Sequence, residues 1–304
     1  MARVLIITSE RLGAQTAGPG LRAAGLATGL AAHGHEAILF AAAGSTAPAT
    51  IALAPTGDLS AAVRSVDTVI IPASLLHRYP EALAATRLCV DFAGPYPLEA
   101  RASGLPPREV LAAERSAAAA MAQADVVLCS QPRQIAYARG LLLTHQPSAV
   151  LAADRFIVVP FGNPAGAGPF ESRPFDGGLR LVWPGGLWDW LDPIVLLDAL
   201  GGAPAGTTVE FWGIQSPDPT APRMQLSDRV RTGVAVRGFD DIVRLVDWVP
   251  ADEFDRRLAT FDLAVTFDDA GEEPRHAFRT RLLHALGVGV PTLATAGEYV
   301  ADLA

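Results

Sequence analysis

Lysine is absent from the 304-residue chain, so all 24 of its basic side chains are arginines. That absence excludes a Walker-type phosphate loop, Schiff-base catalysis and pyridoxal phosphate attachment, each of which needs a lysine amine. Arginine must do any phosphate work. Its planar guanidinium grips a phosphate at two points, but it stays charged and cannot serve as a base. The lysine loss and the alanine load also fit a GC-rich coding bias, and the chemical exclusion holds whatever its origin. Cysteine is nearly absent too. Cys89 and Cys129, the only two, each sit in an apolar strand-like run, which suits buried thiols in a reducing compartment and cannot make a zinc knuckle. Charged residues make up only 18% of the chain against 50% hydrophobic, the balance of a folded globular protein. The net charge of −8 leaves no basic surplus for a polyphosphate backbone, so nucleic acid is not the expected partner. No cationic leader and no apolar run of membrane-crossing length occurs, so a cytoplasmic location is expected, with peripheral membrane contact left open.

The length suits two domains, each with its own core. Short β-rich runs alternate with helical stretches, the rhythm of parallel βαβ units in an α/β fold. Strands are predicted at Val4–Thr8, Glu36–Phe40, Thr68–Ile71, Leu88–Asp91, Val126–Cys129 and Phe156–Val159, with helices over Gly20–Ala32 and Pro107–Ala124. A second series has strands at Leu179–Trp183, Val209–Trp212, Leu263–Phe267 and Thr292–Ala294, and helices at Pro193–Leu200, Ala251–Phe261 and Thr280–Leu286. Phe161–Gly178 is rich in glycine and proline and reads as a linker, which places the boundary near residue 170 and predicts domains at 1–170 and 171–304.

The segment from Glu273 to Gly297 reads as an acidic loop, a helix opening on Arg279 and Arg281, and a Gly-x-Pro turn into a strand. A helix N-terminus offers unpaired N–H groups and partial positive charge, and two arginines there would suit a diphosphate; an isolated Arg-x-Arg is otherwise an ordinary solvated face. All five tryptophans fall in the second series. Trp183 and Trp212, inside predicted strands, read as core. Trp188 and Trp190, near a predicted strand end, are the candidates to meet a nucleotide base or sugar ring. Gly185 and Gly186 would let backbone approach a phosphate, although such a pair is more often a turn.

Phe278-Arg279-Thr280-Arg281, then Gly289-Val290-Pro291 and Ala294-Thr295, resembles the C-terminal signature of family 4 retaining glycosyltransferases, in a subgroup carrying Phe-Arg-Thr-Arg. Gly185-Gly186-Leu187-Trp188-Asp189-Trp190-Leu191-Asp192-Pro193 resembles that subgroup's glycine turn, and Trp248-Val249-Pro250 its Trp-Val-Pro turn. In the N-terminal half, Gly18-Pro19-Gly20-Leu21-Arg22 and Gly34-His35-Glu36 add a further likeness. The resemblance spans nearly the whole chain. It implies a GT-B architecture, two Rossmann-like domains facing across a cleft, with the donor nucleotide sugar on the second and the acceptor on the first.

The resemblance implies a hexosyl transfer with retention to a glycan or small-molecule acceptor, without a metal or other cofactor. It places Arg279, Arg281 and Glu273 in catalysis. Gly185, Gly186, Trp188, Asp189, Trp190, Phe278, Thr280, His276 and His284 would line the donor site, and Gly18, Gly20 and Arg22 the acceptor side. Arg279→Ala and Arg281→Ala are each expected to slow turnover while leaving the fold intact. Where the family has a Lys-Gly pair, this chain has Asp192-Pro193. Where the family carries two glutamates spaced eight apart, it has His276 and His284; Glu273 and Glu272, just upstream, could reach the sugar hydroxyls if the loop folds back, and His284 could hydrogen-bond a ribose hydroxyl. Asp268 and Asp269 resemble a metal-binding acidic pair only superficially. Asp91 either orients an acceptor hydroxyl or, preferably, caps the next segment. Family members continue beyond the Thr295-Ala296-Gly297 turn, so the second domain reads as incomplete. A catalytically silent relative and a sugar-nucleotide epimerase are the alternatives.

Overall fold

The computed structural model describes residues 1–55, 57–149, 153–162, 177–215 and 224–303. Contacts divide the chain into two compact units, Met1–Gly162 with His276–Phe278, and Asn163–Arg275 with Arg279–Ala304. The expected boundary near residue 170 and most of the expected linker lie outside the described residues.

In the first unit, runs of Val, Ile and Leu form strands that are buried on both faces, as parallel strands under crossover helices must be. The order along the chain is β1 (Arg3–Ile7), α1 (Gly18–Ala32), β2 (Glu36–Phe40), β3 (Ala52–Leu53), α2 (Leu59–Arg64), β4 (Thr68–Pro72), β5 (Leu88–Phe92), α3 (Tyr96–Ala102), α4 (Pro107–Ala122), β6 (Val126–Cys129), α5 (Pro132–His145) and β7 (Phe156–Val158). The sheet order is β3-β2-β1-β4-β5-β6-β7, and every recorded pairing is parallel. Side chains alternate between two cores. Leu5, Ile7, Val69, Ile71, Val90 and Val127 point to one, and Val4, Ile6, Ile70, Cys89 and Leu128 to the other. Pro19, Pro107 and Pro132 lie in the first turns of α1, α4 and α5, where a missing N–H costs nothing. Asp58 caps α2 by accepting from the Ala61 N–H at 2.8 Å.

The second unit runs β8 (Arg180–Trp183), α6 (Ile194–Ala199), β9 (Thr208–Phe211), α7 (Leu226–Arg237), β10 (Val243–Leu245), α8 (Ala251–Leu258), β11 (Leu263–Thr266), α9 (Glu273–His276), α10 (Thr280–Val288) and β12 (Thr292–Ala294). Its parallel sheet is ordered β10-β9-β8-β11-β12. Trp183 and Phe211 anchor the core on one face, while Val182 and Ala264 join Trp212, Ala285 and Val288 on the other. The core reading of Trp183 and Trp212 is correct, since both are fully buried. α7 and α10 end on Gly238 (φ +66°) and Gly289 (φ +79°), left-handed positions that glycine fills without strain.

The strand order reverses between β8 and β11. In an open α/β sheet that reversal leaves a crevice beyond the carboxyl ends of the two strands, where ligands bind. Gly185 to Trp190 follow β8, and Asp268 follows β11.

Candidate functional site

The two loops at this crevice are stitched together. Leu191 and Asp268 form an antiparallel bridge, and the Asp192 N–H donates to the Phe267 carbonyl at 2.9 Å. Gly185 adopts φ +94°. Gly213, just past β9, has φ +66°, and a Cβ there would lie 2.9 Å from the Gly186 nitrogen. Gly213 is therefore required by backbone packing on backbone, and Gly185 by its positive φ. A Cβ on Gly186 would also stand 3.0 Å from the Trp188 ring. Trp188 and Trp190 stack on each other, with centroids 5.6 Å apart and planes 5° from parallel, half-buried against the unit's core. Asp189 accepts from the Gln225 and Leu226 N–H groups at 3.2 and 2.8 Å, so its carboxylate serves the start of α7.

Arg279 stands immediately before α10, and its guanidinium is enclosed by carboxylates. Nε donates to Asp268 Oδ1 at 2.8 Å and Nη1 to Glu273 Oε1 at 3.0 Å, while Nη2 contacts both acids. All three side chains are buried. The Arg279 N–H donates to Glu298 Oε1 at 3.1 Å, and the other oxygen of Glu298 accepts from the Ala301 N–H at 2.8 Å. An internal carboxylate thus already occupies the amide that opens α10. Burial pushes the carboxyls of Glu273 and Glu298 above the usual range, against the downward pull of Arg279 on Glu273 and of the Ala301 and Arg279 N–H groups on Glu298. The expectation that Arg279→Ala leaves the fold intact is corrected here: the change would strand two buried acids.

Arg281 is different. It forms no ion pair among the described residues; Nη2 donates to the Gly186 carbonyl at 2.7 Å, and Nη1 is buried with no partner. Its guanidinium carbon lies 5.7 Å from the Trp183 ring centre and would be 3.8 Å from a Cβ on Gly185. Burial, then the neighbouring charge of Arg279, lowers its proton affinity. Asp268 and Glu273 offset part of that effect without pairing with it directly, so the guanidinium against the glycine turn is a candidate for an anion. Asp268 Oδ2, Thr266 Oγ1 and the Trp183 indole nitrogen, all at or just beyond the ends of β8 and β11, are likewise buried without partners.

The other expected residues are engaged elsewhere. His284 Nδ1 lies 2.7 Å from Asp255 Oδ1, with its ring edge-on to Phe254. Thr280 is the first residue of α10 and half-buried. His276 and Phe278 belong to the first unit, where His276 lies 5.3 Å from the Tyr137 ring and Phe278 stacks on Phe161 at 5.2 Å. The carbonyls of His276 and Ala277 accept from Gln134 and Gln131 at 2.8 and 2.9 Å, contacts with no local signal in the sequence.

On the first unit, Gly18 opens α1. A Cβ on Gly20 would meet Thr16 Cγ2 at 2.7 Å, so this glycine is explained by the loop folded over it. Arg22 is buried and pairs with both oxygens of Asp91 at 3.0 and 3.1 Å, donates to the Val159 and Pro160 carbonyls, and lies over Phe161. Asp91 is thus the counter-ion of Arg22, and the capping expectation for it is corrected. Among the described residues no group of His, Cys, Asp and Glu is arranged to hold a metal ion, and no helix is long and apolar enough to cross a membrane.

No protein-family model and no curated protein sequence matches the chain. Solved structures do match its fold. Anabaena HepE in complex with UDP-glucose is 15% identical, covering all of this chain and 83% of that one at a TM-score of 0.70. Sucrose-phosphate synthase from Thermosynechococcus elongatus is 13% identical over 97% and 82%, at 0.69. WaaG, a glycosyltransferase of lipopolysaccharide biosynthesis, is 16% identical over 98% and 84%, at 0.62. The fold is the GT-B architecture of glycosyltransferases, two parallel-sheet Rossmann-like units. Another protein with this fold, an alpha-glucosyltransferase at a TM-score of 0.59, is bound to UDP-glucose and DNA, so the fold by itself does not exclude nucleic acid as the composition suggested.

Proposed function

We propose that the chain is a glycosyltransferase that takes a sugar from a nucleoside diphosphate donor held on the second unit. The observation that carries this reading is Arg281: a buried guanidinium nitrogen without a partner, beside the glycine turn at the strand-order reversal, on a fold that HepE and an alpha-glucosyltransferase, both solved with UDP-glucose, share. As the bond from the anomeric carbon to the diphosphate oxygen breaks, negative charge builds on the departing phosphate. A fixed cation in a dry site stabilises that charge more than it stabilises the bound donor. Arg281 fills this role, while Arg279 holds the acids around it in place. Retention, transfer of a hexose and independence from metal follow from the sequence resemblance. A glycan or small-molecule acceptor follows from the same resemblance, and the net charge of −8 leaves no basic surplus to favour nucleic acid.

A second reading is a silent relative that binds a nucleotide sugar without turnover. It is favoured by the full pairing of Arg279 and by the histidines that stand where family members carry glutamates. Incubation with UDP-, ADP-, GDP- and dTDP-sugars and a panel of acceptors separates the readings. Acceptor-dependent release of nucleoside diphosphate supports transfer, an isomerised donor supports an epimerase, and binding without turnover supports the silent relative. If none of these compounds raises the melting temperature, the donor site itself is refuted.

A further inference from the structure

Asp268, just beyond the end of β11, is fixed by backbone and side-chain contacts. Its backbone pairs with Leu191, its N–H donates to Thr295 Oγ1 at 3.0 Å, and its Oδ1 accepts from Arg279. Oδ2, on the same rigid carboxylate, is buried and accepts nothing, although its side chain is fully out of solvent. Buried carboxylate oxygens are almost always satisfied, and an exception at a ligand crevice points to a partner that arrives with the ligand. Arg281 Nη1 is the complementary exception, a buried donor that donates to nothing. One orphan asks for an anion and the other for a hydroxyl or amine donor, and both residues come from the elements that frame the same strand-order reversal.

We propose that Asp268 is a specificity-determining residue of the donor site, its Oδ2 accepting a hydrogen bond from a hydroxyl of the transferred sugar while Arg281 takes the phosphate. The inference rests on the donor reading above. It assigns the sugar contact to the acid after β11, and it leaves His276, which clusters with the first unit, out of that role. A site built around a buried acceptor rejects a ligand that lacks the matching hydroxyl, because the acceptor is then left bare.

The test is calorimetric titration of the full chain with UDP, ADP and GDP and with UDP-glucose, ADP-glucose and GDP-mannose. For the pair the wild type prefers, Asp268→Asn is expected to change diphosphate affinity by less than about twofold and to weaken the sugar nucleotide about 10- to 100-fold. A mono-deoxy sugar nucleotide is expected to lose a similar factor on the wild type and little more on Asp268→Asn, a coupling that a merely structural role would not produce. Equal losses for diphosphate and sugar nucleotide, or no loss for either, overturn the assignment. If Asp268→Asn fails to fold, the deoxy series on the wild type decides: affinities all within about twofold of the parent compound overturn it. A wild type that binds none of the six compounds overturns the donor reading and this inference with it, whereas binding of the diphosphates and sugar nucleotides with no dependence on Asp268 or on any hydroxyl overturns the inference alone.

Discussion

If Arg281 is an anion site waiting for its anion, removing its charge should make the empty protein more stable and the liganded protein less so. Arg281→Met keeps the length and helix preference of the side chain and deletes the guanidinium. One hydrogen bond to the Gly186 carbonyl is lost, a cost of about 1 kcal/mol. Replacing a buried charge that has no direct ion pair by an apolar side chain of similar volume is often stabilising by about 1–4 kcal/mol. The net expectation is a gain of about 1–2 kcal/mol, which in a domain of this size raises the melting temperature by about 3–6 °C. The ligand term runs the other way. At a concentration of a hundred times its Kd, a nucleoside diphosphate stabilises the wild type by about 2.7 kcal/mol, and Arg281→Met should show almost none of that increment. Differential scanning calorimetry of both proteins, with and without UDP, ADP or GDP, reads both effects. A lower melting temperature for the empty variant would mean the guanidinium is satisfied at home. An undiminished ligand shift would mean the phosphate sits elsewhere. Either result refutes the reasoning.

Other perturbations separate the supporting charges from the binding one. Arg279→Ala strands the buried carboxylates of Asp268 and Glu273 and should cost about 3–5 kcal/mol, read by urea unfolding, with much of the loss recovered when Asp268→Asn and Glu273→Gln are combined with it. Glu298→Gln tests the acid before the last turn. The folded carboxyl keeps its proton to higher pH than the unfolded one, whose ordinary value is 4.5. Its contribution is therefore fully present below that value and lost as pH rises through the folded value, so Glu298→Gln should gain on the wild type between pH 4 and pH 7 in parallel thermal scans. Gly213→Ala places a methyl 2.9 Å from the Gly186 nitrogen at φ +66° and should cost about 1–3 kcal/mol in denaturant titration while disturbing ligand binding.

The sheets were legible because parallel strands are short apolar runs that need no partner information to recognise, as Glu36–Phe40 and Val126–Cys129 show to the residue. α7 escaped notice because Leu226–Arg237 carries three arginines and little apolar periodicity, so only packing makes it a helix. β3, two residues long, and β10, three, are too short to announce themselves. The site was half legible. Charge type and order along the chain pointed to Arg279 and Arg281, but which of them is neutralised depends on Asp268, Glu273 and Glu298, brought in from separate elements. Arg22 and Asp91 make the same point, since their pairing joins α1 to β5, elements that no local pattern links.

The uneven distribution of two residue types gives each half of the molecule its own reporter. Cys89 and Cys129 lie in adjoining strands of the first unit, where burial lifts their thiols to about 11 and about 12, so a thiol reagent should label them only when that sheet opens. All five tryptophans lie in the second series, so intrinsic fluorescence follows the other sheet, and the two halves can be watched melting separately without any substitution.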